Sequence, residues 1–114
     1  MTYSKANRFD DELQQLAKYA SVLSHPARLA ILKFLASCET CISGDISQEI
    51  PLSRTTVTQH LTELKKVGLI RGEIDGVKVN YCIDREAVKQ MIEGFTAFFG
   101  EISQTKQLNC INTK

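Results

Sequence analysis

Residues 42–69 read ISGDISQEIPLSRTTVTQHLTELKKVGL, and the fold turns on how this stretch is divided. Gly44 to about Ile50 predicts a short helix, with Ser43 as its N-cap and Ile46 and Ile50 on one side. Pro51 has no amide proton to continue that helix and disfavours helical geometry at Ile50, so the chain must turn. Ser53 then offers its hydroxyl to the orphan amides of a second helix. Val57, Leu61 and Leu64 recur at helical spacing and define its inward face. Arg54, Thr55, Thr58, Gln59, Thr62, Lys65 and Lys66 are left outside, and Gly68 ends the helix in a left-handed cap. This is a helix-turn-helix pattern. Arg and Gln can pair with guanine and adenine edges, Thr can bond bases or phosphates, and Lys suits phosphates. An ordinary helical hairpin with a solvated polar face would look the same, so the flanking sequence must decide.

After Gly68 the period changes. Leu69 to Ile74 and Val77 to Ile83 are β-rich, and Asp75-Gly76 between them is a two-residue hairpin signal. A hairpin directly after a reading helix makes a winged helix. Arg71 and Lys78 sit near that hairpin, where they could reach phosphates or the minor groove. The expected class is mainly α with a small β-hairpin.

Upstream, Leu13, Leu16, Ala17, Ala20 and Leu23 mark an amphipathic helix from Phe9 to about Val22. Pro26 suits the first turn of the next helix, and ARLAILKFLAS (27–37) is apolar on most sides, which predicts a central helix. At 114 residues the chain is one domain, expected over 9–104, with residues 1–8 frayed and a polar tail over 105–114. Net charge is only +1, but residues 53–83 carry five positive and three negative charges, an excess where DNA contact is expected. The apolar runs are too short to cross a membrane, and the polar start, MTYSKANRFDDELQQL, is not a signal peptide. A cytoplasmic protein with reduced thiols is the expectation.

Downstream, Asp84 caps a last helix in which Val88, Met91, Ile92, Phe95, Phe98, Phe99 and Ile102 repeat at a spacing of three or four through about Gln104. That is more apolar surface than a small core needs, and a contiguous apolar patch is not left in water. The prediction is a homodimer through the first and last helices, using Leu13, Leu16, Met91, Phe95, Phe98, Phe99 and Ile102. Two-fold symmetry would set two reading helices one DNA turn apart, roughly 34 Å, on a palindromic double-stranded operator. No nucleophile elbow or glycine-rich phosphate loop is present, and the single C-x-x-C lacks a βαβ context, so no enzyme is expected. A small dimerising module that binds protein is the competing non-enzyme class, and a steep salt dependence on duplex DNA separates the two.

His25-Pro26-x-Arg28-Leu29-x-Ile31-Leu32, then Ile46 through Leu52-Ser53-x-x-x-Val57-x-Gln59-His60-Leu61-x-x-Leu64-x-x-x-Gly68-Leu69-Ile70, then the wing from Gly72 to Tyr81, resembles the ArsR/SmtB family of metal- and stress-sensing repressors. The resemblance covers about residues 10–103. It implies a homodimeric winged-helix repressor that leaves its operator when an inducer binds. It also implies that Ser53, Arg54, Thr55, Thr56, Thr58, Gln59 and His60 form the DNA-reading helix. Zinc sites of the family on the last helix use Asp and His, and no His occurs between Asp84 and Gln104. His25 is expected to pack or cap at the second helix rather than ligate metal.

Four cysteines remain: Cys38 and Cys41 before the helix-turn-helix, Cys82 at the end of the second wing strand, and Cys110 in the tail. Arsenic sensors of the family carry Cys-x-Cys at the start of the first helix of the pair, where this chain has Ile42 and Gly44. In a winged helix the short strand before that pair runs beside the second wing strand, which would bring Cys41 near Cys82. Three readings stay open. Cys41 with Cys38 or Cys82, helped by Cys110, would hold a thiophilic inducer such as As(III) or Sb(III). A thiol pair would act as a redox or sulfide switch. Or Cys41 and Cys82 would be small buried hydrophobes.

Overall fold

Caps and glycines set the element boundaries. The structure, a computed structural model, describes residues 9–38, 40–44, 46, 49–74 and 80–104. Within them lie α1 (Asp11–Val22), α2 (Pro26–Ala36), β1 (Ile42–Ser43), α3 (Arg54–Lys66), β2 (Ile70–Glu73), β3 (Asn80–Ile83) and α4 (Arg85–Ser103). Each helix starts on a side chain that accepts an orphan amide. Asp10 accepts from the Leu13 amide at 2.9 Å, and Asp84 from that of Ala87 at 3.0 Å. Ser53 Oγ accepts from the Thr56 amide at 3.2 Å. His25 Nδ1 accepts from Ala27 at 3.2 Å, ahead of a helix that Pro26 opens. Gly68, at φ +86°, turns the chain out of α3 as expected.

The first helix of the expected pair falls partly on residues 45, 47 and 48, outside the described residues. What is described is a helical turn: the amides of Glu49 and Ile50 both donate to the Ile46 carbonyl, at 2.9 and 3.2 Å. Ile46 and Ile50 are both buried, on the inward side that their spacing predicted.

The sheet is antiparallel in the order β1-β3-β2. Ile42 pairs with Tyr81, and across the wing Arg71 pairs with Cys82 and Gly72 with Tyr81. The expected Asp75-Gly76 turn and Lys78 lie outside the described residues. Gly72, at φ +118°, is required by its neighbours: a Cβ there would run into the Asn80 carbonyl and lie 2.8 Å from the Tyr81 Cα. Both obstacles are backbone and cannot swing aside. Gly72→Ala is therefore expected to destabilise the protein by about 1–3 kcal/mol, at the scale of backbone strain. Urea denaturation reads the loss, and an unchanged midpoint would contradict it.

The core joins all layers: Ile31 of α2, Val57 and Leu64 of α3, then Leu69, Ile70 and Tyr81 are almost wholly buried. The second helix is less central than its composition suggested. Ile31 and Leu35 are buried but Leu29 is 50% exposed, because α2 meets α3 and β3 on one side only. α4 has no fully buried residue in 19. It packs on α1, where Gly94 leaves room for Leu16, whose Cδ2 would stand 3.1 Å from an added Cβ. Among the described residues no helix is long and apolar enough to cross a membrane.

Candidate nucleic-acid interface

α3 turns Val57, Leu61 and Leu64 into the core and leaves Ser53, Arg54, Thr55 and Gln59 exposed along one face. Among the described residues no side-chain hydrogen bond holds Arg54 or Gln59, so both are available to a groove. Thr56 and Thr58 are half-buried. Thr56 Oγ1 accepts from Ser53 Oγ at 3.0 Å, and the Thr58 carbonyl accepts from Thr62 Oγ1 at 2.9 Å. Thr56 thus reinforces the cap and stands back from the exposed row. Truncating Gln59 to Ala should weaken operator binding by about 1–3 kcal/mol, concentrated at one base pair, if its amide pairs with an adenine edge. A binding scan over single-base operator variants measures this, and a uniform loss would make Gln59 a phosphate contact instead.

His60 corrects an expectation. It was placed on the reading face, yet it is only 7% exposed and points inward. Its Nδ1 accepts from Arg28 Nε at 3.1 Å, and its ring lies 4.4 Å from that of His25. Burial, then the charges of His25 and Arg28, hold its pKa below the ordinary histidine value. The reason is register: His60 sits three residues after Val57 and next to Leu61, at the edge of the inward face. Arg28, whose Nη1 also donates to the Val22 carbonyl at 3.3 Å, stands out in the sequence only as part of the His25-Pro26-x-Arg28 motif. An arginine in the first turn of the largely apolar α2, where the helix dipole disfavours a cation, was the available signal that it serves a specific partner.

The basic residues divide. Lys65 Nζ donates to the Gly72 carbonyl at 2.6 Å, so it ties α3 to the wing. Lys66 pairs with Glu63 at 3.2 Å on the open surface, a contact worth little in water and easily exchanged for a phosphate. Arg71 is exposed on β2. Lys78 lies outside the described residues.

The cysteines meet as the strand pairing implied. Cys41 and Cys82, 41 positions apart, are joined by a disulfide with their Cα atoms 4.4 Å apart. This departs from the expectation of reduced thiols. Cys38 keeps a free thiol, which donates to the Phe34 carbonyl at 3.4 Å. All three line one open recess of about 350 Å³ with Arg71, Asp84 and Arg85. The three-thiolate site is not assembled, since two sulfurs are spent on each other and the third is turned to the end of α2. Among the described residues no three His, Cys, Asp or Glu side chains gather as metal ligands. Cys110 lies outside the described residues.

The residues expected at a two-fold interface also divide. Leu13, Phe99 and Ile102 are exposed, with Ile92 and Phe9 beside them in kind. Leu16 is buried within the chain against α4, which removes it from that surface. Met91 and Phe95 pack partly on the core, Phe95 against Tyr19 at 6.4 Å between ring centres. Phe98 is half-buried and meets Phe99 edge-on at 5.2 Å.

A capped helix with a free polar face, preceded by a short strand and a helical turn and followed by two wing strands that join that strand in one sheet, defines a winged helix-turn-helix DNA-binding protein. Comparisons with known proteins agree. A helix-turn-helix domain model matches residues 23–73. The HTH-type transcriptional regulator YgaV of Escherichia coli K12 is 33% identical over 79 residues, covering 69% of this chain and 80% of that protein. A cadmium resistance transcriptional regulatory protein, the CadC homolog of Staphylococcus aureus, is 33% identical over 95 residues, 78% of each chain. The structure of an ArsR-like transcriptional regulator from Rhodococcus sp. RHA1 superposes with a TM-score of 0.65 at 20% identity, over 81% of this chain and 86% of that one. The chain belongs to the ArsR/SmtB family of winged-helix transcriptional regulators, which are DNA-binding proteins and not enzymes.

Proposed function

We propose that the protein is a homodimeric transcriptional repressor that holds a palindromic operator and releases it when a signal reaches the Cys41–Cys82 pair. The observation that carries this is the position of the pair. It links β1, which leads straight into the helix-turn-helix, to β3 of the wing. Any chemistry that changes the distance between those sulfurs moves the strand on which the reading helix depends. The repressor sense comes from the resemblance to the family, and the dimer from the uncovered apolar residues of α1 and α4.

Oxidation is the signal the bonded pair supports best. Two thiols give up two protons and two electrons to an oxidant of the peroxide class, and the sulfur–sulfur bond forms. A disulfide in a reducing compartment is a regulatory one as a rule. A second signal is favoured by Cys38 on the wall of the same recess: the reduced pair, joined by Cys38, would take a thiophilic ion such as As(III) or Sb(III). The cadmium-resistance name of one relative is compatible with it. A coupling of a few kcal/mol between signal and DNA suffices in either case.

Fluorescence anisotropy of the reduced protein on its promoter duplex tests the reading, with As(III), Sb(III), Cd(II), Zn(II) and hydrogen peroxide added in turn. Release by peroxide, reversed by dithiothreitol and absent in Cys41→Ser, supports the redox switch. Release by As(III) or Sb(III) at stoichiometric levels, lost in Cys38→Ser, supports the thiophilic ion. Binding that none of them changes would make the pair structural.

A further inference from the structure

We propose that Arg28, His60 and His25 form a proton-sensitive clasp that seats α3 on the domain, so that acid weakens specific DNA binding. This rests on α3 being the DNA-reading helix. Arg28 reaches two elements at once: Nη1 to the Val22 carbonyl at the end of α1, and Nε to His60 Nδ1 in the middle of α3. Together with the packing of Val57, Leu61 and Leu64, that bridge sets the angle of α3 against the rest of the domain, and Arg28 acts as a positioning residue. Arginine is always charged and only donates. The bridge therefore exists only while His60 Nδ1 carries a lone pair, which the hydrogen-bond network requires.

Among the described residues no carboxylate pairs with His60. From the α1–α2 junction it faces Arg28 and the ring of His25 at 4.4 Å, and these are the charges that act on it. On α3 the carboxylate of Glu63, one turn on, lies on the open surface beside Lys66 and does not bond to His60. His25 Nδ1 accepts the Ala27 amide that starts α2, which holds its ring in place beside His60. Protonation of His60 turns its Nδ1 from acceptor into donor and sets a cation against Arg28 at bonding distance. α3 must then shift to separate them.

The sign of the effect is diagnostic. DNA phosphates favour protonation of nearby groups, so a basic DNA-binding surface holds DNA more tightly in acid. For His60 the phosphates lie across the helix, about 10 Å away and screened by salt over a similar length. Arg28 at 3.1 Å outweighs them. The fold holds the His60 pKa below that of a free histidine, which gains its proton below a pH of about 6.5. The seated form is therefore fully favoured above that pH and is progressively disfavoured as pH falls below it.

The test uses a duplex that the full-length protein selects from a random library at about pH 7.5, with affinity read by anisotropy at about pH 7.5 and 5.5 in fixed salt. The wild type should bind measurably more weakly at the lower pH, because the fold disfavours the protonated form of His60. His60→Asn places an amide oxygen where Nδ1 stood and accepts from Arg28 at either pH, so it should rescue the acid loss. Wild-type affinity that holds or rises in acid overturns the clasp, as does an equal loss in His60→Asn. Should that variant fold poorly, NMR of the wild type decides: the His60 ring signals and the α3 amides must titrate together, and α3 amides that stay still overturn the proposal. Enrichment of no duplex at the higher pH would overturn the DNA-reading assignment of α3 itself, a different failure from a missing acid response.

Discussion

Phe99→Glu combined with Ile102→Glu is expected to give a folded monomer that no longer holds the operator. Phe99 and Ile102 are 55% and 49% exposed, so the chain's own core does not depend on them. They project from a helix with no buried residue, beside Ile92 at 55% and with Leu13 of α1 at 40%. Covering a half-exposed Phe contributes about 1–2 kcal/mol, and in the proposed dimer two-fold symmetry counts every residue twice. Losing both side chains from both subunits removes about 4 kcal/mol or more, three orders of magnitude in the dimer dissociation constant. Buried carboxylates would add to that. A monomer keeps one reading helix, and little beyond non-specific phosphate contact remains, so operator affinity should fall at least about a hundredfold. Analytical ultracentrifugation and anisotropy read the two effects, with circular dichroism to show the fold intact. A variant still dimeric would place the interface elsewhere. Phe95→Glu is the poorer probe, because Phe95 packs on Tyr19 and partly on the core and would destabilise the monomer as well.

That contrast shows what the sequence makes legible. Val57, Leu61 and Leu64 reveal α3 because a helix repeats every 3.6 residues and a core rejects polar groups. Ser53, Asp84, Pro26 and Gly68 mark helix ends because each answers a local backbone need. These requirements are set within a few residues, so they survive in one dimension. The pairing of β1 with β3, and with it the meeting of Cys41 and Cys82, followed from the wing topology that the resemblance implied. Which apolar residues of α4 face inward did not follow. Phe95 and Phe99 are four apart on one helical face, and only the position of α1 decides that the first is half covered and the second open. His60 was misplaced for the same reason, since its partner is 32 residues away and periodicity carries no information about it. Lys65 is a further case: its reach to Gly72 depends on the wing folding back beside α3.

Oxidised and reduced protein are expected to differ widely in stability, and the difference should vanish in Cys82→Ser. The disulfide closes a loop across 41 positions that contains the whole of α3. Restricting an unfolded chain by a loop of that length is worth about 4 kcal/mol in the chain-entropy description, and measured values usually fall at 2–4. For a domain of this size that is roughly 8–16 °C in melting temperature. Cys38→Ser should leave the difference whole, because its thiol lies outside the bond and is turned to the Phe34 carbonyl. Scanning calorimetry with and without dithiothreitol decides, and a shift that persists in Cys82→Ser would mean that another pair forms. Stability and regulation need not run together. A bond that stabilises the DNA-bound and free shapes equally changes the melting point and leaves the operator untouched. The proposed switch therefore demands a second inequality: operator DNA must alter the redox equilibrium of Cys41 and Cys82 by the same factor that oxidation alters operator affinity. Titrating the pair against a glutathione buffer, with and without the duplex, measures that factor. Equal midpoints would leave a disulfide that holds the wing to the helix-turn-helix and reports nothing.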